Sequence, residues 1–133
     1  MVLAPPPATL IVNNGGNPQT LFMSFGLLNR LSRHLGNIDR LPILAVDPEL
    51  QETILIEVFT PRDKQGNVLE PITSLEQIEI SLDDADKVLD FVGDHIANFF
   101  TRTAEKAQAR AIEIDRKMTA LSNSTPTKTG SSS

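Results

Sequence analysis

Five aspartates lie close together in the second half of the chain, where they could bind a metal ion or serve as acid and base. They are Asp83, Asp84, Asp86, Asp90 and Asp94. The last three recur every four residues, which places them on one face of a helix. The glycine-containing spacing of a calcium-binding loop is absent. We therefore interpret the first three as acids that favour a helix N-terminus, and the others as part of its solvated face.

Other residues that could do chemistry are few. His34 and His95 are the only histidines, and neither has a neighbour at metal-ligand spacing. The chain has no cysteine and no Gly-x-Ser-x-Gly segment. Gly15-Gly16 lacks the spacing of a phosphate-binding loop. We predict no catalytic residue, no metal ligand and no cofactor, and favour a binding or assembly protein over an enzyme.

A β-hairpin is predicted at the start of the folded region. Residues 9–13 form a short apolar strand, and Asn14-Gly15-Gly16-Asn17 is a typical hairpin turn. Residues 19–23 then alternate as a second strand, with Leu21 and Met23 on one side and Phe22 on the other.

Two helices should follow the hairpin. Ser24 is a suitable N-cap for a helix to about Leu35, and Gly36 would end it. Asp47-Pro48 predicts a second helix, to about Thr60, with an apolar face at Leu50, Ile54, Leu55, Val58 and Phe59. The β-branched residues between 54 and 58 would also suit a strand.

Residues 62–80 are expected to form a long connection. Residues 63–67 resemble a turn, and Pro71 interrupts the chain again. The segment 75–80 fits a short helix or a strand equally well.

A long amphipathic helix is predicted from Ser81 to about Leu121. Apolar residues recur there at steps of three and four: Leu82, Ala85, Val88, Leu89, Val92, Ile96, Phe99 and Phe100. About 40 helical residues would measure about 60 Å, more than the diameter of so small a domain. Part of this helix should project, bend back or pack on another chain. Phe99 and Phe100 would fill the core or, alternatively, contribute to a binding groove.

A thinner apolar stripe continues beyond Thr103 among alternating charges. Its members are Ala104, Ala107, Ala111, Ile114, Met118 and Leu121. Such a helix is soluble alone and buried on assembly. We predict that these six residues bind a partner, either a client protein or a second copy.

The chain as a whole is predicted to be mainly α: a small helical domain with an N-terminal β-hairpin and a long C-terminal helix. We expect a flexible N-terminus over residues 1–8, the hairpin and helical domain over 9–103, a projecting helix extension over 104–121 and a disordered tail over 122–133. The net charge of −5 argues against nucleic acid as the main partner. We expect neither a signal peptide nor a membrane-spanning segment.

The order of these segments resembles that of phage tail assembly chaperones. The resemblance covers residues 10–103. It begins with a hairpin that leads into Ser24-Phe25-Gly26-Leu27-Leu28-Asn29-Arg30-Leu31. It continues through Asp47-Pro48-Glu49-Leu50 and Pro61-Arg62-Asp63-Lys64-Gln65-Gly66 to a helix that starts at Leu82-Asp83-Asp84-Ala85.

This resemblance implies a small, helical, non-enzymatic protein. Such a chaperone binds the phage tape-measure protein, keeps it soluble in the host cytoplasm, and helps recruit tail tube subunits. It leaves before the tail is complete. The alternative hypothesis is a structural component of the virion, from the tail, neck or capsid, whose long helix packs permanently on neighbouring subunits. Self-association is compatible with both.

Overall fold

The chain folds into a hairpin followed by helices, and the computed structural model describes residues 5–124. The two strands are β1, Thr9–Asn14, and β2, Asn17–Phe22. The α-helices in this range are α1, Phe25–Leu35; α2, Pro48–Phe59; and α3, Leu82–Ser124. Two 3₁₀-helices lie in the connections, at Ile38–Ala45 and Leu75–Gln77. The predicted fold class, mainly helical with an N-terminal hairpin and a long C-terminal helix, is confirmed.

The hairpin is antiparallel and closes at the predicted turn. Gly15 and Gly16 have φ angles of 63° and 85°, in the region that glycine enters without steric cost. Side chains alternate across the two strands, so that Val12 and Leu21 are buried while Phe22 is 60% exposed. The predicted orientation of the second strand is therefore correct.

The helix ends follow from local capping chemistry. Ser24 Oγ accepts a hydrogen bond from the backbone N of Leu27 over 3.1 Å at the start of α1. Gly36, with φ 85°, ends that helix. Asp47 Oδ1 accepts from the backbone N of Glu49 over 3.0 Å at the start of α2. Of the two alternatives for residues 54–58, the helix is the one that forms.

The apolar core combines side chains of the hairpin, both short α-helices and the first half of α3. Helices α1 and α2 pack against each other. Helix α2 buries all of its predicted apolar face, and α1 buries Leu27, Leu28, Leu31 and Leu35. The largest fully buried side chains are those of Leu31, Leu35, Ile54, Val88, Val92 and Ile96. Burial of residues of this type stabilises a fold by about 1.5–3 kcal/mol each.

Two core assignments in α3 were wrong. Leu82, predicted on the buried face, is 78% exposed because it lies at the first residue of the helix. Phe91, absent from the predicted stripe, is only 6% exposed. Phe91 was not included in the predicted apolar stripe. It follows Val88 by three residues and therefore lies on the same side of the helix.

The connections are more ordered than expected. The segment before α2 is a 3₁₀-helix, Ile38–Ala45, that buries Leu44. The segment left undecided between helix and strand contains a second 3₁₀-helix, Leu75–Gln77, which Ser74 caps. The described part of α3 reaches Ser124, beyond the predicted end near Leu121, so residues 122–124 of the predicted tail are helical. The rest of that tail lies outside the described residues.

Contacts divide the chain into two compact units, with the boundary between Phe99 and Phe100. The first unit contains the hairpin, α1, α2 and the start of α3, and the described part of the second unit is helical. No helix within residues 5–124 combines the length and apolar character needed to cross a bilayer.

Candidate functional site

The stripe predicted to bind a partner lies on the second unit of the chain. From Thr101 to Ser122 the backbone is helical and every side chain is exposed. The larger stripe members are prominent, with exposures of 51% for Ile114, 63% for Met118 and 66% for Leu121. Three alanines, Ala104, Ala107 and Ala111, continue the same face toward the N-terminal side. We refer to these six residues as the 104–121 stripe.

The geometry of the 104–121 stripe suits helix–helix packing. Its members are separated alternately by three and four residues, which keeps them on one side of an α-helix. Alanines allow a partner helix to approach closely, while Ile114, Met118 and Leu121 supply larger apolar surfaces. Charged residues lie on the other faces of this helix. Among them, Lys117 Nζ lies 3.4 Å from Glu113 Oε1.

A second exposed apolar group lies on the outer face of the hairpin and the start of α1. Ile11, Phe22 and Phe25 are 60–70% exposed. The ring of Phe25 contacts that of Phe99 edge to face, with centroids 6.0 Å apart. Phe99 and Phe100 are both half-buried, so neither lies fully within the core.

The five aspartates do not form a metal centre among the described residues, where no group of three or more potential ligands converges. Asp83, Asp86, Asp90 and Asp94 are exposed, which agrees with the solvated face predicted for Asp90 and Asp94. Asp84 differs, because its Oδ2 accepts a hydrogen bond from the backbone N of Asn13 over 3.0 Å. It therefore joins the start of α3 to the hairpin.

The same end of the hairpin is held by two further hydrogen bonds. The backbone N of Gly15 donates to the carbonyl of Glu79 over 2.9 Å. The backbone N of Glu79 donates to Asn14 Oδ1 over 2.8 Å. The turn thus has a second role, because it fixes the chain that leads into α3.

Both histidines have partners that their sequence positions did not reveal. His95 Nε2 lies 2.7 Å from the carbonyl oxygen of Pro7, and its ring contacts Phe91 edge to face. His34 Nε2 lies 3.0 Å from Glu57 Oε1. Each histidine therefore contacts a residue that is distant in the sequence.

Glu57 is the centre of a charge cluster with three partners, and it was missed from the sequence. Its side chain is 8% exposed, and its Oε2 accepts from Arg30 Nε at 3.0 Å. Arg62 Nη2 lies 3.3 Å from the same oxygen. Two observations could have identified this cluster: Glu57 interrupts an apolar run in α2, and Arg30 and His34 are four residues apart on α1.

The electrostatics of Glu57 suit an ion-pair anchor better than an acid or base. Burial raises the pKa of its carboxyl, but hydrogen bonds from His34 and Arg30 and the charge of Arg62 outweigh burial and lower the pKa. A general base works best with a pKa near the working pH, so a lowered carboxyl pKa weakens Glu57 in that role. The cluster therefore links α1, α2 and the chain that follows α2.

A cleft of about 550 Å³ opens beside this cluster, between the start of α1 and residues 62–66. Its two hydroxyl groups already bind backbone, since Ser24 accepts from Leu27 and Thr60 donates to the Ile56 carbonyl. Asp63 accepts hydrogen bonds from the backbone N atoms of Asn67 and Gln65, and these bonds lower its pKa. The cleft thus holds a structured turn rather than an oriented nucleophile and base.

Comparisons of the chain with protein-family models, with curated proteins and with solved structures found no match.

Proposed function

We propose that the chain is a non-enzymatic phage tail assembly chaperone that binds the tape-measure protein and aids assembly of the tail tube. The observation that carries the proposal is the 104–121 stripe, an apolar helix face exposed along its whole length. The order of segments in the sequence, which resembles that of such chaperones, supplies the identity of the client. The host cytoplasm would be its place of action.

The chemistry of client and stripe is complementary. A tape-measure protein is long and helical, and its apolar faces are exposed to water until the tail tube encloses it. A helix that offers Ile114, Met118 and Leu121 on one side and charges on the others can cover such a face and remain soluble. The exposed Ile11, Phe22 and Phe25 offer a second apolar surface on the first unit.

Co-expression with the neighbouring tape-measure and tail tube gene products tests the proposal. We expect a tagged chain to retain the tape-measure protein in the soluble fraction and to be recovered with it. Met118→Glu should reduce recovery severalfold because it places a charge on the stripe. Thr119→Glu, at an exposed position off the stripe, is the matched control. Equal recovery with both variants would contradict binding through the stripe.

The second candidate function is that of a structural component of the virion. The same exposed stripe would then pack permanently on neighbouring subunits. Mass spectrometry of purified mature particles separates the two functions. A chaperone should be absent from finished particles, whereas a structural component should be present at a fixed copy number. Recovery at stoichiometric copy number would therefore replace the chaperone proposal with the structural one.

A further inference from the structure

We infer that the 104–121 stripe is the seam of a parallel, two-stranded coiled coil formed with a second copy of this chain. The six stripe residues follow the heptad rule without interruption. Ala104, Ala111 and Met118 occupy position a, and Ala107, Ile114 and Leu121 occupy position d. All six lie in continuous helix and are exposed in the single chain. A second copy would therefore cover the whole stripe.

The residues that flank the seam support a second copy of this chain as the partner and a parallel orientation of the two helices. In this register Arg110 and Lys117 occupy position g, whereas Gln108 and Asp115 occupy position e. In a parallel pair each g residue faces the e residue five positions later in the other chain. Arg110 then faces Asp115 of the second copy, and the two-fold symmetry of the dimer makes this attractive contact twice.

Within one chain the same two charges point apart. Residues five apart on an α-helix are separated by well over a quarter turn, so Arg110 and Asp115 do not face each other. Lys117 differs, because it lies near Glu113 of its own helix. In the parallel pair Lys117 faces Ser122 of the second copy, which introduces no like-charge contact. The complementary charges are thus placed for a contact between chains.

An antiparallel pair would have the opposite electrostatics. With the stripes aligned end to end, position g faces position g, so Arg110 would lie opposite Lys117 of the second copy, twice. Position e would bring Gln108 opposite Asp115 of the second copy, which offers no compensating ion pair. Like charges across a coiled-coil seam disfavour that pairing, so the charge pattern selects the parallel one.

The dimer does not depend on the proposed function, because it follows from the heptad and charge positions alone. One consequence does rest on that function: a client helix that uses the same stripe would have to displace the second copy. Free chaperone would then keep its apolar stripe covered until a client arrives.

Sedimentation velocity of the full chain over a concentration series tests the pairing. We expect a monomer–dimer equilibrium. Arg110→Glu should weaken it about tenfold, since two attractive contacts become repulsive. Adding Asp115→Arg should restore the affinity by reversing the pair. Arg116→Glu makes the same charge change at position f, away from the seam, and should leave the affinity unchanged. Circular dichroism checks that each variant stays helical.

Three outcomes would overturn the inference: a monomer at every concentration, a trimer or larger mass, or equal weakening by Arg110→Glu and Arg116→Glu. None of them bears on the pull-down of the client, so the two proposals fail separately.

The absence of cysteine allows a direct test of direction. In a parallel pair, full-length Ala107→Cys and Met118→Cys should each form a disulfide-linked dimer when oxidised alone. In an antiparallel pair position 107 lies opposite position 118, so only a mixture of the two variants would cross-link efficiently. Cross-linking confined to the mixture would contradict the parallel arrangement.

Discussion

The Oε2 atom of Glu57 lies 3.0 Å from the Nε of Arg30, and this contact joins the middle of α2 to α1. His34 and Arg62 complete the cluster around the same carboxylate. Glu57 is 8% exposed, whereas its three partners are 23–39% exposed. The carboxylate is thus the buried member, and it depends on its partners for compensation of its charge.

Replacement of this carboxylate should destabilise the first unit. Glu57→Gln removes the negative charge and leaves Arg30 and Arg62 facing a neutral group. We expect a loss of about 1–3 kcal/mol in the free energy of unfolding, moderated because both guanidinium groups can reach water. Urea denaturation followed by circular dichroism measures it. Glu52→Gln, on the exposed face of the same helix, is the control and should change the free energy by less than about 0.5 kcal/mol.

The same carboxyl should make stability depend on acid pH. Its pKa is lower in the folded chain than the ordinary value of 4.5, so the unfolded chain binds its proton more readily. The stability that Glu57 contributes is therefore complete above about pH 4.5 and is lost as pH falls through the folded pKa. The unfolding free energy of Glu57→Gln should fall less steeply than wild type below pH 4.5. Parallel slopes would contradict a lowered pKa for Glu57 in the folded chain.

Asp84 should matter to the docking of the hairpin in a way that its neighbour Asp83 does not. Both are acids in the first turn of α3, so both favour the helix N-terminus. Only Asp84 accepts the hydrogen bond from Asn13. We expect Asp84→Ala to cost about 1–2 kcal/mol more than Asp83→Ala in chemical denaturation, and to speed amide exchange at Asn13. Equal losses of stability in the two variants would mean that Asp84 acts only through its charge at the helix N-terminus.

Gly93 is a position where substitution should stabilise the protein. It lies in the interior of α3, it does not have a positive φ, and an added Cβ would meet no atom within 4 Å. Gly93→Ala should therefore raise the free energy of unfolding by about 0.5–1 kcal/mol. Gly66→Ala is the contrasting variant, because φ is 88° there and alanine would be strained. The midpoint temperature of thermal unfolding should rise for Gly93→Ala and fall for Gly66→Ala.

Deletion of all residues after Arg102 should spare the fold of the first unit. The buried apolar residues in the described part of the chain all lie at or before Ile96, and the side chains from Thr101 to Ser122 are exposed. We expect the shortened chain to unfold cooperatively with a urea midpoint close to that of the full chain, yet to lose partner binding. A molten or aggregated product would show that the distal part of α3 is needed for folding.

The sequence determined the two strands, the three α-helices and their order, since those depend on neighbours along the chain. Ser24 and Asp47 act locally as helix caps, and glycines at 15, 16 and 36 allow turns wherever the chain folds. The faces of α1 and α2 were predictable because helical periodicity shows which residues share a side. The 104–121 stripe was visible for the same reason.

Only the tertiary structure decided which polar residues meet. Glu57 and Arg30 are 27 residues apart, and Asn13 and Asp84 are 71 apart. The conformational preferences of neighbouring residues do not encode such pairings. The pairings depend on how α2 packs on α1 and on how the hairpin meets the start of α3. Phe91 was missed for a related reason: whether a residue at the edge of a helical stripe is buried depends on the side chains packed against it. Local chemistry thus predicts elements, whereas packing between distant segments determines the contacts that hold them together.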